Sequence, residues 1–279
     1  GLYLERHRAA RHILVKDAGW PDPSHLATDV VNAESARLCE ELKSAIGKSP
    51  EASPWLEEWL DIRGRTKGAI DTSLGEMDEL FEGKVFAELA DLLPEESILF
   101  AGNSMPVRDM DAFFPSASKP VKCMANRGAS GIDGVVSTAL GVSAVSDRPV
   151  VLVLGDLSLY HDMNGLLAAK RHNLRATIIV LNNNGGGIFS FLPQAEHSDV
   201  FEEYFGTPHG LEFRSAAEMY GLSYAKVSSW GELREAFLRS SSSPGTTIIE
   251  VPGDRARNVE LHRRVWASVF DVLRTKVKG

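Results

Sequence analysis

Apolar positions change period several times along the chain, and the changes mark its elements. Six short runs are predominantly apolar or β-branched: 97–101, 121–124, 150–154, 177–181, 224–227 and 246–251. Runs of that length, bounded by Gly, Asn and Pro, predict strands. Between them the spacing turns helical. Phe81 to Leu92 is amphipathic and is stopped by Pro94. Gly134 to Ser146 is rich in small residues, and helices are also predicted at about Asp162 to His172, Glu212 to Tyr220 and Val259 to Leu273. Ser229-Trp-Gly-Glu232 has the form of a capping box and opens a further helix. Ser240 to Ser243, before Pro244-Gly245, reads as a loop. Strands that alternate with helices predict an α/β fold: a six-stranded parallel sheet with helices on both faces.

The first seventy residues follow a poorer pattern. His12 to Lys16 predicts a strand, and Asp17 to Pro23 is a Gly- and Pro-rich turn. Thr28 to Ile46 has helical spacing through Val30, Val31, Leu38, Leu42 and Ile46. A break at Gly47 to Pro54 precedes a helix at Trp55 to Arg65. One strand and two helices bury little core. Residues 1–70 are therefore expected to be the C-terminal part of a preceding α/β domain with a linker, and 71–279 the main domain. The chain starts with Gly, mid-pattern, so a fragment or processed product is expected. The basic cluster Arg6, His7, Arg8, Arg11 and His12 is either an anion site or a solvated face, and the solvated face is preferred.

Composition narrows the function classes. At 279 residues and 43% hydrophobic, the chain can build one full core and part of another. A net charge of −8 argues against nucleic acid as a partner. No apolar run approaches the roughly 20 residues of a membrane span, and no signal-peptide pattern opens the chain. Cys39 and Cys123 are far apart and in no C-x-x-C, which fits a reduced, cytoplasmic setting, or a plastid in a plant.

Candidate chemistry concentrates between Gly155 and Phe189. The run 150–154 feeds into Gly155-Asp156, and the run 177–181 delivers Asn182-Asn183-Asn184 and three glycines. Parallel strands joined by a right-handed crossover bring their carboxyl ends together, at the edge where open α/β sheets bind ligands. Asp156 and Asn183 can therefore face one crevice. A carboxylate, an amide oxygen and the Gly185 carbonyl make three hard oxygen ligands, suited to Mg2+ (or Mn2+) bridging to phosphate. A helix near Asp162 can add its positive end. The alternative for Asp156 and Asp162 is helix capping, preferred for Asp162. Asn182 and Asn184 can hold the turn through side-chain-to-backbone bonds. Arg108 and Arg127 follow strand ends, where a guanidinium either clamps a carboxylate or makes a structural ion pair. The dinucleotide fingerprint, the Walker phosphate loop, the G-x-S-x-G elbow and zinc spacings are all absent from the sequence.

Gly155-Asp156 followed by Asn182-Asn183 resembles the thiamin diphosphate motif. With H-D-M-N-G-L, N-N-N-G-G-G-I-F-S-F-L-P, G-N-S-M-P-V-R-D (102–109) and N-R-G-A-S-G-I-D-G (126–134), the text from about Phe81 onward is similar to one branch. That branch is the 2-succinyl-5-enolpyruvyl-6-hydroxy-3-cyclohexene-1-carboxylate synthase family of menaquinone and phylloquinone biosynthesis. The resemblance implies a thiamin diphosphate-binding fold, with thiamin diphosphate and a divalent cation as cofactors. Asn103, Gly155, Asp156, Leu157, Ser158, Asn183 and Gly185 are then expected at the cofactor. Ile132 is implied under the thiazolium, with Ile188, Phe189 and Leu192 as walls, although Ile132 and Leu192 also suit plain core packing. Ser104, Arg108 and Arg127 are implied to bind the carboxylates of 2-oxoglutarate and isochorismate, with the cofactor as the electron sink for decarboxylation.

The resemblance also implies a missing part. The glutamate that activates the cofactor would come from an N-terminal pyrimidine-binding domain, supplied by a second subunit of a dimer or tetramer. The chain is accordingly expected to be inactive alone. Two other readings stay open: another thiamin diphosphate 2-oxoacid decarboxylase or synthase, and a non-catalytic nucleotide-binding α/β module.

Overall fold

The computed structural model describes residues 2–47, 53–115 and 119–274. The chain divides after Asp61 into two units. The first holds α1 (Leu2–Arg6), β1 (Ile13–Lys16), β2 (Asp29–Asn32), α2 (Ser35–Ile46) and the start of α3 (Pro54–Gly75). β1 and β2 pair in parallel, with Ile13 opposite Asp29. Here the structure departs from the helix expected over 28–46. Val30 and Val31 are β-branched, and their segment pairs with β1, so the helix starts only after Glu34. Both Glu34 carboxylate oxygens accept from the first turn of α2, at Ala36 N and Arg37 N. In the basic cluster, Arg11 grips Asp29 with two bonds of 2.7 and 2.8 Å. That bond holds the Asp29 carboxyl down at about 2, and Arg11 is thereby engaged within the fold. Most of the expected break at 47–54 lies outside the described residues.

The second unit carries α4 (Glu82–Leu92), β3 (Ile98–Ala101), α5 (Met105–Phe113), β4 (Lys122–Met124), α6 (Val135–Ala144), β5 (Val150–Gly155) and α7 (Asp156–Asp162). It continues with α8 (Leu166–His172), β6 (Ala176–Asn182), α9 (Ser198–Phe201), α10 (Arg214–Tyr220), β7 (Ser223–Lys226), α11 (Trp230–Ser242), β8 (Thr247–Pro252) and α12 (Arg255–Arg274). Its six strands form one sheet in the order β4-β3-β5-β6-β8-β7, parallel at every pairing.

Alternation along the central strands explains the two cores. Leu99, Val151, Val153, Ile179 and Leu181 face one side, where they meet Phe86 and Leu89 of α4, Phe237 of α11 and Val265 of α12. Phe100, Leu152, Leu154, Ile178 and Val180 face the other, against Val136 and Leu140 of α6, Leu166 of α8 and Ala217 of α10. Because both faces are covered, the strands read as continuous apolar runs rather than alternating ones.

Three local expectations are corrected. The helix after β5 begins at Asp156, not near Asp162, and passes through a 3-10 turn at Met163–Gly165 into α8. Asp162 does cap a helix, but that of another element: its carboxylate accepts from Ser137 N and Oγ in the first turn of α6, at 2.6 and 2.8 Å. The serine run at 240–243 is not a loop through most of its length, because α11 continues to Ser242. Ser241 and Ser242 bond the carbonyls four residues back, and Ser240 Oγ meets Thr177 Oγ1 in the core.

Candidate active site

Strand order reverses at β3, which has β4 on one side and β5 on the other. Ligands of doubly wound sheets bind beyond the strand ends at such a reversal. A cavity of about 470 Å3 lies there, within the range of small-molecule sites. It is lined by the tips of β3 (Asn103, Ser104), β5 (Gly155, Asp156) and β6 (Asn183, Gly185), and by the start of α7 (Leu157, Ser158). Arg108, Arg127, Ile132, Ile188 and Phe189 also line it, as does Glu82 at the start of α4. Leu192 is not among the lining residues. It follows the 3-10 turn Gly187–Phe191 and is 40% exposed.

Asp156 and Asn183 stand on neighbouring strands whose register pairs Gly155 with Leu181. Both are buried. Asp156 Oδ1 accepts from Leu157 N at 2.7 Å, and its Oδ2 accepts from Gly185 N at 2.9 Å. Gly185 has φ +140°, and a side chain there would strike the Gly206 carbonyl. Its own carbonyl accepts from Gly187 N at 2.9 Å and keeps a second lone pair. Asn183 Oδ1 is buried without a hydrogen-bond partner. An orphaned amide oxygen is costly in a dry site unless a ligand satisfies it. Beside a carboxylate and a main-chain carbonyl, it completes a donor set that fits a hard cation.

The remaining loops are fixed by side chains that grip main chain. Asn103 Nδ2 donates to Gly131 O at 2.5 Å and Ser158 Oγ to Ile132 O at 2.7 Å, which sets Ile132 against the cavity. Arg127 Nη1 donates to Asn103 Oδ1 at 2.7 Å, and Arg108 Nη1 to Ser104 O one turn back. Among the described residues, neither guanidinium makes an ion pair. Both keep donors for an anion. Ser104 has φ +72°, a conformation non-glycine residues rarely adopt, at the turn from β3 into α5.

Asn182 and Asn184 hold the turn as expected and do more. Asn182 Oδ1 accepts from Asn184 N at 3.2 Å. Asn184 Oδ1 accepts from His209 N and Gly210 N. That contact brings in His209, whose Nε2 lies 3.1 Å from Asp156 Oδ2. His209 Nδ1 accepts from Leu211 N, so Nε2 carries the hydrogen and donates to the carboxylate.

Behind the cation donors lies a buried acid cluster. Glu82, at the start of α4, accepts from Asn183 Nδ2 at 2.8 Å. Burial, with the charge of Asp109 added, pushes its carboxyl up to about 7. Burial likewise raises Asp109, whose Oδ1 meets His262 Nε2 at 2.8 Å. For His262, burial acts downward, but the bond and charge of Asp109 outweigh it and carry the pKa up. Phe81, Phe113 and Phe191 surround that imidazole edge-on.

Residues 108–251 match the thiamine pyrophosphate enzyme family, C-terminal TPP binding domain. The chain belongs to this family. It is 51% identical over 268 residues, 96% of its length, to a 2-succinyl-5-enolpyruvyl-6-hydroxy-3-cyclohexene-1-carboxylate synthase of Geobacillus kaustophilus, of which it covers 46%. To the synthase of the same name from Chloroflexus aurantiacus it is 44% identical over 275 residues, covering 98% of this chain and 47% of that protein. The chain thus spans about half the length of the curated relatives it matches. The fold is similar to a Rhodococcus jostii thiamine diphosphate-dependent 4-hydroxybenzoylformate decarboxylase, with TM-score 0.63 and 20% identity over 88% of this chain and 44% of that one. A Polynucleobacter necessarius benzoylformate decarboxylase gives 0.64 at 21%, over 88% and 45%.

For a thiamine pyrophosphate domain, the motif residues proved easier to find than their supports. Sequence reasoning gave no role to Glu82, His209 and His262, nor to Asp109, although that residue closes the motif 102–109. A signal for Glu82 was present: it lies three, four and seven positions before Val85, Phe86 and Leu89, on the apolar face of α4. A carboxylate there is committed to burial. His209 sits in a loop with no periodicity, and nothing local marks it.

Proposed function

We propose that the chain is the C-terminal half of a 2-succinyl-5-enolpyruvyl-6-hydroxy-3-cyclohexene-1-carboxylate synthase, acting on 2-oxoglutarate and isochorismate. What supports this is sequence identity of 43–51% that runs through nearly the whole chain, well beyond the cofactor motif. Residues 1–70 are read as the end of a preceding domain, and 71–279 as the cofactor-binding domain.

In this reading Asp156, Asn183 and the Gly185 carbonyl would hold Mg2+ or Mn2+ for a diphosphate-bearing cofactor. The first turn of α7 supplies Leu157 and Ser158 beside it. Ile132, on the loop that Asn103 and Ser158 fix, would support the cofactor, and Ile188 and Phe189 would wall the site. When bound, thiamin diphosphate supplies the electron sink on which a 2-oxoacid loses carbon dioxide. Arg108 and Arg127 orient the substrates through their carboxylates, with Ser104 beside them. Local positive charge is needed because both acids approach a protein of net charge −8. The glutamate that activates the cofactor is assigned to an N-terminal domain of a second subunit, so the isolated chain is expected to lack turnover.

The test uses the full-length enzyme. It should consume 2-oxoglutarate far faster than pyruvate and join the succinyl unit to isochorismate. Asp156→Ala should abolish metal-dependent cofactor binding by calorimetry. Equal use of pyruvate, with no product from isochorismate, would overturn the assignment. So would sustained turnover by the isolated chain for the division of the site between subunits.

A further inference from the structure

The cation donors are named by motif, but one of them is ambiguous by itself. A carboxamide has two ends of nearly equal size, one an acceptor and one a double donor. Only the oxygen can bind a cation. An unguided Asn183 would present its NH2 group part of the time, and each such state removes a ligand.

Glu82 resolves the ambiguity. Its Oε1 sits 2.8 Å from Asn183 Nδ2, across 101 residues of sequence. Both residues are buried, at 6% and 8% exposure, which shields the bond from bulk solvent. The opposite end of the amide, Oδ1, has no partner, and Asn183 lines the cavity. Neighbouring glycines make room for this arrangement. A side chain at Gly83 would meet the Phe113 ring at 2.5 Å and Phe81 at 2.8 Å, and one at Gly187 would meet Asn183 Nδ2 at 2.5 Å.

We propose that Glu82 is a positioning residue that holds the Asn183 amide with its nitrogen turned inward and its oxygen toward the cation. The proposal rests on the reading of Asp156, Asn183 and Gly185 as cation ligands. It assigns to Glu82 no contact with cofactor or substrate. Partners of metal ligands that fix their orientation are worth about 10–100-fold in affinity when lost.

The test is Mn2+ affinity of the full-length protein in the presence of thiamin diphosphate, read from the electron paramagnetic resonance of free Mn2+. Glu82→Met keeps volume and removes the acceptor. Glu82→Ala removes it a second way, and Glu82→Gln keeps an acceptor oxygen. The Met and Ala variants should bind Mn2+ about 10–100-fold more weakly, and the Gln variant within about threefold of wild type, well short of such a loss. The metal-free Met variant should melt no lower than wild type, because an apolar isostere at a buried acid is often neutral or stabilising. A purely structural Glu82 would give the reverse pattern, lower melting with unchanged Mn2+ affinity, and that result overturns the proposal. Equal loss in the Gln and Met variants overturns it as well. Asp156→Ala serves as the reference: if it too retains Mn2+, the cation reading itself has failed, and this proposal with it.

Discussion

His209 donates its Nε2 hydrogen to Asp156 Oδ2 across 3.1 Å, from a loop 53 residues away. The imidazole is 12% exposed, and its tautomer is set by Leu211 N on the other ring nitrogen. Asp156 thus receives Leu157 N, Gly185 N and His209 together. His209→Ala should weaken divalent cation binding by about tenfold, the lower end for loss of a ligand's partner. Calorimetric titration of the full-length protein with Mg2+ and cofactor checks this. Unchanged affinity would show that the two main-chain donors suffice to orient the carboxylate.

Gly185 is the position where backbone conformation and space both exclude a side chain. At φ +140° a methyl group is strained, and it would also strike the Gly206 carbonyl. Gly186 N donates to that same carbonyl at 2.8 Å, so the carbonyl cannot retreat without breaking a bond. Gly185→Ala should destabilise the protein by at least about 2 kcal/mol and lower cation affinity along with stability. Urea denaturation with and without Mg2+ measures both effects.

Arg108 and Arg127 differ in what supports them. Arg127 is tied to Asn103, which also fixes the loop at Gly131, whereas Arg108 is tied only to its own helix turn. Arg108→Ala should therefore raise the KM of one acid substrate by 10-fold or more, about the loss of one charge-assisted bond. Cofactor affinity should be unchanged. Arg127→Ala should impair substrate use and loosen the cofactor as well, through Asn103. Steady-state kinetics in both substrates, with cofactor titration, separates the two patterns.

Glu82 gives a pH dependence of known sign. Its carboxyl lies at about 7 in the fold against an ordinary 4.5. Between those values the folded protein holds a proton that the unfolded chain has released. The favourable contribution is therefore complete below pH 4.5 and lost as pH rises to about 7. At about 1.4 kcal/mol per pH unit, ionised Glu82 costs on the order of 3 kcal/mol. Metal-free Glu82→Gln, which does not ionise, should become progressively more stable than wild type from pH 5 to pH 7.5. Urea midpoints across this range measure the gap, and parallel curves would contradict the burial of this acid.

The sheet was legible because covered parallel strands are apolar runs, and β3, β5, β6 and β8 stand out as such. The edge strands β4 and β7 are half exposed and were placed by the alternation with helices. Asp156 and Asn183 were legible because each directly follows an apolar run that reads as a strand, and neighbouring parallel strands end at one edge. β2 was not, since Val30 and Val31 also fit a helical spacing with Leu38. Only pairing with Ile13–Lys16, a non-local event, decides between the two. The helical end of α11 was hidden by serines, which favour loops unless their hydroxyls find carbonyls one turn back. The support behind the site was least legible. Asp109 and His262 are 153 residues apart, and Glu82 and Asn183 are 101 apart. No local pattern records a contact across such separations.

Gly83 touches no candidate ligand, yet the rings of Phe113 and Phe81 leave no room for a side chain at this first turn of α4. Adding a single methyl group there would tilt the helix start and draw Glu82 off the amide it holds. An inherited or engineered change at this unremarkable glycine would then surface as a mineral-dependent enzyme defect, relieved by excess magnesium. Its origin would be sought in vain among the residues that grip the ion.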